Sequence, residues 1–329
     1  MATSDENEDP REVAWHPRFA AEVIGHGDAT LLFKAAFDSG RPHHAWLLIG
    51  QQGIGKATLA YSLARYVLGK TMAPEQVKRW VQARAHPDLV VLERTLNDSK
   101  PKKLKSEISV DNARAFIDFF GRTSGGGGWR VGLVDAADDL NNESANALLK
   151  LVEEPPVKCL ILLVCHSPGR LLRTLRSRCR KLPLAGLTAL ETTEVLKAMP
   201  LEPKPSAEVI HNTVAIANGR PGFALQLMNS EGAKAFQAFV QAKRLDAASR
   251  QKVIAHFASR LTVNDDFAVF TTLLQEWLGG EAKRSLSSEL AALHSDLAKQ
   301  LSIVAGYNLD RRTAVMDVLV RVDHALKVA

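Results

Sequence analysis

Gly50-Gln51-Gln52-Gly53-Ile54-Gly55-Lys56 is the stretch on which the fold turns. It fits the pattern G-x-x-x-x-G-K and lies between two readable elements. Before it, Ala45-Trp46-Leu47-Leu48-Ile49 is a short apolar run of the kind that forms a buried strand; after it, Ala57 to Leu68 is rich in good helix formers. Strand, glycine-rich loop and helix together are the context that the motif requires. Its glycines let successive backbone N–H groups turn toward phosphate oxygens, helped by the positive end of the following helix. Gly50, Gly53, Gly55 and Lys56 are thus candidates for holding nucleotide phosphates, the lysine facing the β and γ groups. The plainer alternative is a tight turn with an incidental lysine. Ala57 and Thr58 complete the candidate site and expose a defect in it. A serine or threonine normally follows the lysine and coordinates magnesium, but Ala57 stands there. Thr58 comes one residue later, rotated by roughly 100° around the helix. The loop leaves room for ATP or ADP, with a magnesium site short of one ligand.

Outward from the loop, strands and helices alternate. Phe19 to Phe37 has helical periodicity, Glu75 to Ala83 is a helical piece, and Asp88 to Leu92 reads as a strand. Asp111 to Phe120 reads as a helix stopped by Gly121. Val131 to Val134 and Cys159 to Cys165 are further apolar strands, separated by a helix over Asn141 to Val152 that ends at Pro155-Pro156. This alternation implies an α/β P-loop domain with a parallel sheet covered on both faces. Beyond about Pro183 the pattern turns helical. The expected division is a tail at 1–14, a nucleotide-binding-like domain at 15–184, a small helical lid at 185–229 and an all-α domain at 230–329.

The whole chain, 329 residues with 46% hydrophobic and 24% charged residues, is that of a globular protein too long for one core. No apolar run is long enough to span a bilayer, and Met1 to Pro10 is acidic without an apolar leader core, so a cytoplasmic location is expected. Three cysteines, Cys159, Cys165 and Cys179, show no metal-ligand spacing. Cys159 and Cys165 would face one side of a strand, as buried, reduced core residues. A net charge of +6 permits contact with nucleic acid without requiring it. The densest basic run, 100–105, reads first as a solvated loop.

Arg130-Val131-Gly132-Leu133-Val134-Asp135 puts a carboxylate at the end of an apolar strand, where P-loop proteins orient magnesium. Several segments then occur in order. They are His44-Ala45-Trp46-Leu47-Leu48, the glycine loop, Asp135-Ala136-Ala137-Asp138, Asn146-Ala147-Leu148-Leu149-Lys150, Glu153-Glu154-Pro155-Pro156 and Ser177-Arg178-Cys179. Together they resemble the delta-prime family of bacterial DNA polymerase III clamp-loader subunits, over roughly residues 15–225.

The resemblance implies an AAA+ domain, a helical lid and a helical collar that joins gamma/tau and delta subunits in a hetero-pentamer. That ring opens a sliding clamp and loads it on primer–template DNA. Within it, the Ser-Arg-Cys triplet makes Arg178 an arginine finger offered to a neighbouring ATP site. This sequence departs from active relatives in several places. Ala136 replaces the glutamate that polarises the attacking water. His166 falls at the first sensor position and Gly222 at the second sensor arginine, with Arg220 nearby. Residues 57–134 contain no cysteine, whereas many relatives carry four, so no metal site and no zinc are expected. The implied role is a stator with absent or very weak ATPase. Two alternatives remain at this point: an active AAA+ subunit of the same loader, and a P-loop kinase with the arginines of 170–178 as its lid.

Overall fold

The computed structural model describes residues 9, 11–40, 42–97, 102, 104–125, 127–242, 264–307 and 311–328. Five parallel strands form one sheet: β1 (Ala45–Ile49), β2 (Leu89–Glu93), β3 (Arg130–Asp135), β4 (Cys159–Cys165) and β5 (Arg180–Pro183), in the order β2-β3-β4-β1-β5. Parallel neighbours need crossovers, and helices supply them. In chain order these are α1 (Gly27–Asp38), α2 (Lys56–Leu68), α3 (Pro74–Gln82), α4 (Val110–Phe120), α5 (Asn142–Glu153) and α6 (Arg173–Ser177).

Alternation along β1 explains the two-sided burial. Trp46 and Leu48 join one apolar cluster, with residues of α1, α2 and α3; Ala45 and Leu47 join the other, with residues of α4 and α5. Trp46, Leu47 and Leu48 are each fully buried, a contribution of about 1.5–3 kcal/mol for a large apolar side chain. Cys159, Cys165 and Cys179 are free thiols within the second cluster. Burial pushes Cys159 and Cys179 up to about 12 and Cys165 up to about 11.

Most expected elements lie within a residue or two of their observed bounds. The exception before the loop is instructive. The helix expected over Phe19 to Phe37 is instead a single 3-10 turn, Pro17–Phe19, followed by α1 from Gly27. Gly25 and His26 both have positive φ (74° and 56°), which breaks a right-handed helix. The His26 ring pairs through Nε2 with the carbonyl of Ile54, 2.8 Å away. Strand β5 had no counterpart in the sequence reading, since only Leu182 of its four residues is buried.

By its contacts the chain divides into Met1–Ala224 and Leu225–Ala329. The first unit also contains α7 (Ala189–Ala198) and α8 (Ala207–Ala217), and α9 (Pro221–Asn229) begins there. The expected lid, 185–229, thus falls mostly in the unit that holds the sheet. Helices α10 (Glu231–Ala242), α11 (Asn264–Ser285), α12 (Ser288–Tyr307) and α13 (Arg311–Val328) belong to the second unit. There α11 packs against α10 and α12, and Trp277 meets Phe236 and Phe239 edge-on. The expected tail, 1–14, and the basic run, 100–105, lie partly outside the described residues; Leu104 bridges to Leu96, and Lys105 donates its N–H to the Thr95 carbonyl.

Candidate functional site

The glycine loop leaves β1 inside the sheet, where β1 lies between β4 and the edge strand β5 and the chain order reverses. Ligands of open α/β sheets enter at such a switch point, beyond the carboxyl ends of the strands. Gly53 and Gly55 have φ of 85° and 98°, a region that other residues rarely adopt. Gly55 is the N-cap of α2, so Lys56 starts that helix.

Lys56 is only 3% exposed. Its Nζ donates to the carbonyls of Gly50 (2.7 Å) and Gln51 (2.5 Å), both in its own loop. Burial lowers its pKa to about 8, against the pull of Asp138 and Asp135. The loop is also clasped from outside. The Gly222 N–H donates to the Gly53 carbonyl at 2.8 Å, and a Cβ on Gly53 would lie 2.8 Å from the Phe223 nitrogen. A Cβ on Gly222 would in turn lie 3.0 Å from the Gly53 Cα. The position expected for the second sensor is thus a backbone-to-backbone contact. Arg220, two residues away, stacks its guanidinium 4.3 Å over the Phe223 ring and donates from Nε to the Ala217 carbonyl.

Ala57 packs against the apolar cluster beneath the loop, so a methyl group occupies the place of the magnesium hydroxyl. Thr58 is half-buried in the same turn. Asp135 ends β3, in register with Glu93 of β2. Burial first, and then the Glu93 and Asp139 carboxylates, raise its pKa to about 6. Asp138 is committed elsewhere, since its oxygens accept the backbone N–H groups of His166 (2.9 Å) and Ser167 (3.2 Å). It anchors the end of β4 and does not replace the carboxylate missing at Ala136.

His166 sits beside Lys56, and its Nδ1 is buried without a hydrogen-bond partner among the described residues. Burial, followed by the Lys56 charge, lowers its pKa to about 4. The imidazole is neutral at pH 7 and offers phosphate no charge. A cleft beside Gly50 and Gln51, walled by Leu184–Leu187 and Asn218, has no charged side chain in its lining. The structure thus brings Gly50, Gly53, Gly55, Lys56, Ala57, Asp135 and His166 together. The hydroxyl that usually follows the lysine is absent and the lysine is bonded to its own loop carbonyls, so the set lacks one of the usual magnesium ligands.

Arg178 belongs to a different place. It caps the C-terminal end of α6 and is exposed. Its Nη1 donates to the Thr174 carbonyl at 3.1 Å, and its Nη2 pairs with Glu153 Oε1 at 2.8 Å. The two side chains are 41% and 43% exposed. Sequence reasoning quoted Glu153 without giving it this role, and it had no means of finding the contact between Gly53 and Gly222. One signal for Glu153 was available, an acidic residue in the last turn of a helix, where the dipole favours cations.

The model of the family described as DNA polymerase III, delta subunit matches residues 25–188. DNA polymerase III subunit delta′ of Escherichia coli (strain K12) is 30% identical over 323 residues, which is 89% of this chain and 92% of that protein. The delta′ subunit of Pseudomonas aeruginosa is 35% identical over 199 residues, 58% of this chain and 57% of its own length. That of Yersinia pestis is 40% identical over 147 residues, covering 43% and 41%. The last two matches span about half of those relatives; the first spans nearly the whole.

Proposed function

The chain belongs to the family of DNA polymerase III delta′ subunits, and on that premise we propose that it is the non-hydrolysing stator of a clamp loader. It joins gamma/tau and delta subunits in a five-membered ring in the cytoplasm. The ring opens a sliding clamp and places it on primer–template DNA during replication. The chain's own contribution to catalysis is Arg178, offered in trans to the ATP site of a neighbouring subunit.

The observation that carries this reading is the contrast between a closed phosphate loop and an exposed arginine. Lys56 is turned onto the Gly50 and Gln51 carbonyls, and Gly222 is bonded to Gly53. Arg178 lies at the surface at the end of α6. A planar, permanently charged guanidinium suits a transfer in which negative charge builds on phosphate oxygens. Gly50, Gly53, Gly55, Lys56, Ala57, Thr58, Asp135 and His166 form a site in which ATP or ADP would draw Lys56 from the Gly50 and Gln51 carbonyls. No hydrolysis is assigned to it. Ala57, Ala136 and Gly222 argue in the same direction against an active ATPase.

Two measurements test the reading. The purified chain should co-elute with gamma/tau and delta subunits in a single five-subunit peak, and alone it should turn over ATP at background rate. A steady rate from the isolated chain that Lys56→Ala abolishes would overturn the stator assignment. Failure to enter the complex would overturn the clamp-loader role.

A further inference from the structure

We propose that Glu153 is the positioning residue for Arg178, holding its guanidinium in a fixed pose at the surface until a phosphate of the neighbouring nucleotide takes the place of the carboxylate. This rests on Arg178 acting in trans as described above.

Two elements fix the fork from two sides. Thr174, within α6, accepts from Nη1, and Glu153, the last residue of α5, pairs with Nη2. Both helices stand on the same apolar floor. Leu148, Leu151 and Val152 of α5 lie in one cluster with Leu171, Leu175 and Cys179 around α6. Pro155-Pro156 follows one residue after the end of α5, so the place of Glu153 is set by where the chain must leave the helix. The pair is thus exposed at its charged tips and rigid at its base.

Helix stability does not account for an acid at this position. The C-terminal end of a helix carries partial negative charge and favours cations, yet Glu153 and Glu154 both stand there. Arg178 compensates one of them. An exposed ion pair of this kind is weak, which is what an exchangeable support requires. A terminal phosphate carries more charge than a carboxylate and presents the same paired-oxygen geometry to a guanidinium. It therefore displaces Glu153 without the backbone of either helix moving.

The test uses the assembled loader with clamp and primed DNA, measuring kcat and KM for stimulated ATP hydrolysis. Four forms of this chain are compared: wild type, Glu153→Gln, Arg178→Ala and the double variant. Glu153→Gln should lower kcat of the site it serves by up to about 10²-fold, the scale of a catalytic group misplaced by roughly 1 Å, with KM for ATP unchanged. In the Arg178→Ala background it should have no further effect. Glu153→Asp, which keeps the charge and shortens the reach, should fall between Gln and wild type, and it serves as the readout if the Gln variant assembles poorly. Wild-type kcat for Glu153→Gln beside an impaired Arg178→Ala overturns the positioning role and leaves the finger standing. An equal loss with and without Arg178 also overturns it, as a structural effect. A wild-type rate for Arg178→Ala removes the trans finger itself.

Discussion

Lys56 and Arg178 are both cations in segments whose sequence pattern is expected to handle phosphate, yet their surroundings are opposite. Lys56 is 3% exposed, returns both described bonds to its own loop and has its pKa lowered to about 8 by burial. Arg178 is 41% exposed and is held by a carboxylate that solvent already screens. The first arrangement spends the charge inside the fold. The second keeps it available to something outside. A subunit can lose its own reaction and still be needed for one, because the residues for the two tasks sit on different elements and are stabilised differently.

The sharpest way to break this contrast is the Arg178→Ala variant of the assembled complex. Hydrolysis at the site it serves should fall by about 10³-fold, the low end for arginine fingers, while total ATPase falls only in part because other sites keep their own. Quench-flow on a single turnover separates the two; uniform wild-type kinetics at every site would remove the distinction between the two cations.

Lys56 makes the next largest prediction, through pH. A lysine whose pKa is lowered on folding destabilises the fold while it is charged, and the penalty lifts as pH rises from the folded value toward the unfolded one. Between pH 8 and 10.5 the wild type should therefore gain about 3 kcal/mol relative to Lys56→Met. Denaturant titrations at both ends of that window check it; parallel pH dependences would mean that Lys56 is not desolvated.

Gly222→Arg tests the clasp. The added Cβ lies 3.0 Å from the Gly53 Cα, so the loop or the start of α9 must shift. The expected loss is about 1–3 kcal/mol, as for other overpacked sites. Amide exchange should quicken at position 222, with no ATPase gained. The smallest effect belongs to Arg178 again: in the isolated chain its removal should change stability by no more than about 1 kcal/mol, as for any exposed pair. A larger loss by urea titration would make it a structural residue.

The sheet's centre was legible because strands buried on both faces are continuous apolar runs. Ala45–Ile49 and Cys159–Cys165 were read to the residue. Edge strand β5 was not, since Arg180-Lys181-Leu182-Pro183 has neither a run nor an alternation long enough to detect. The segment before α1 misled for a different reason. Its apolar spacing is helical, but Gly25 and His26 take left-handed conformations beside a tertiary contact from His26 to the Ile54 carbonyl that the local sequence does not encode. At the site, the missing hydroxyl and carboxylate could be seen in Ala57 and Ala136 as letters. The use made of Gly222 could not, because its meaning is a distance to a residue far away in the chain.

That distance also sets the order in which mutations can act. An arginine introduced at position 222 meets the Gly53 backbone first, so the substitution begins with a loss of packing. Gly53 cannot yield by substitution either, since its φ of 85° and its contact with Phe223 hold it as glycine. The two glycines therefore constrain each other, and neither position takes a side chain unless the backbone of the other moves.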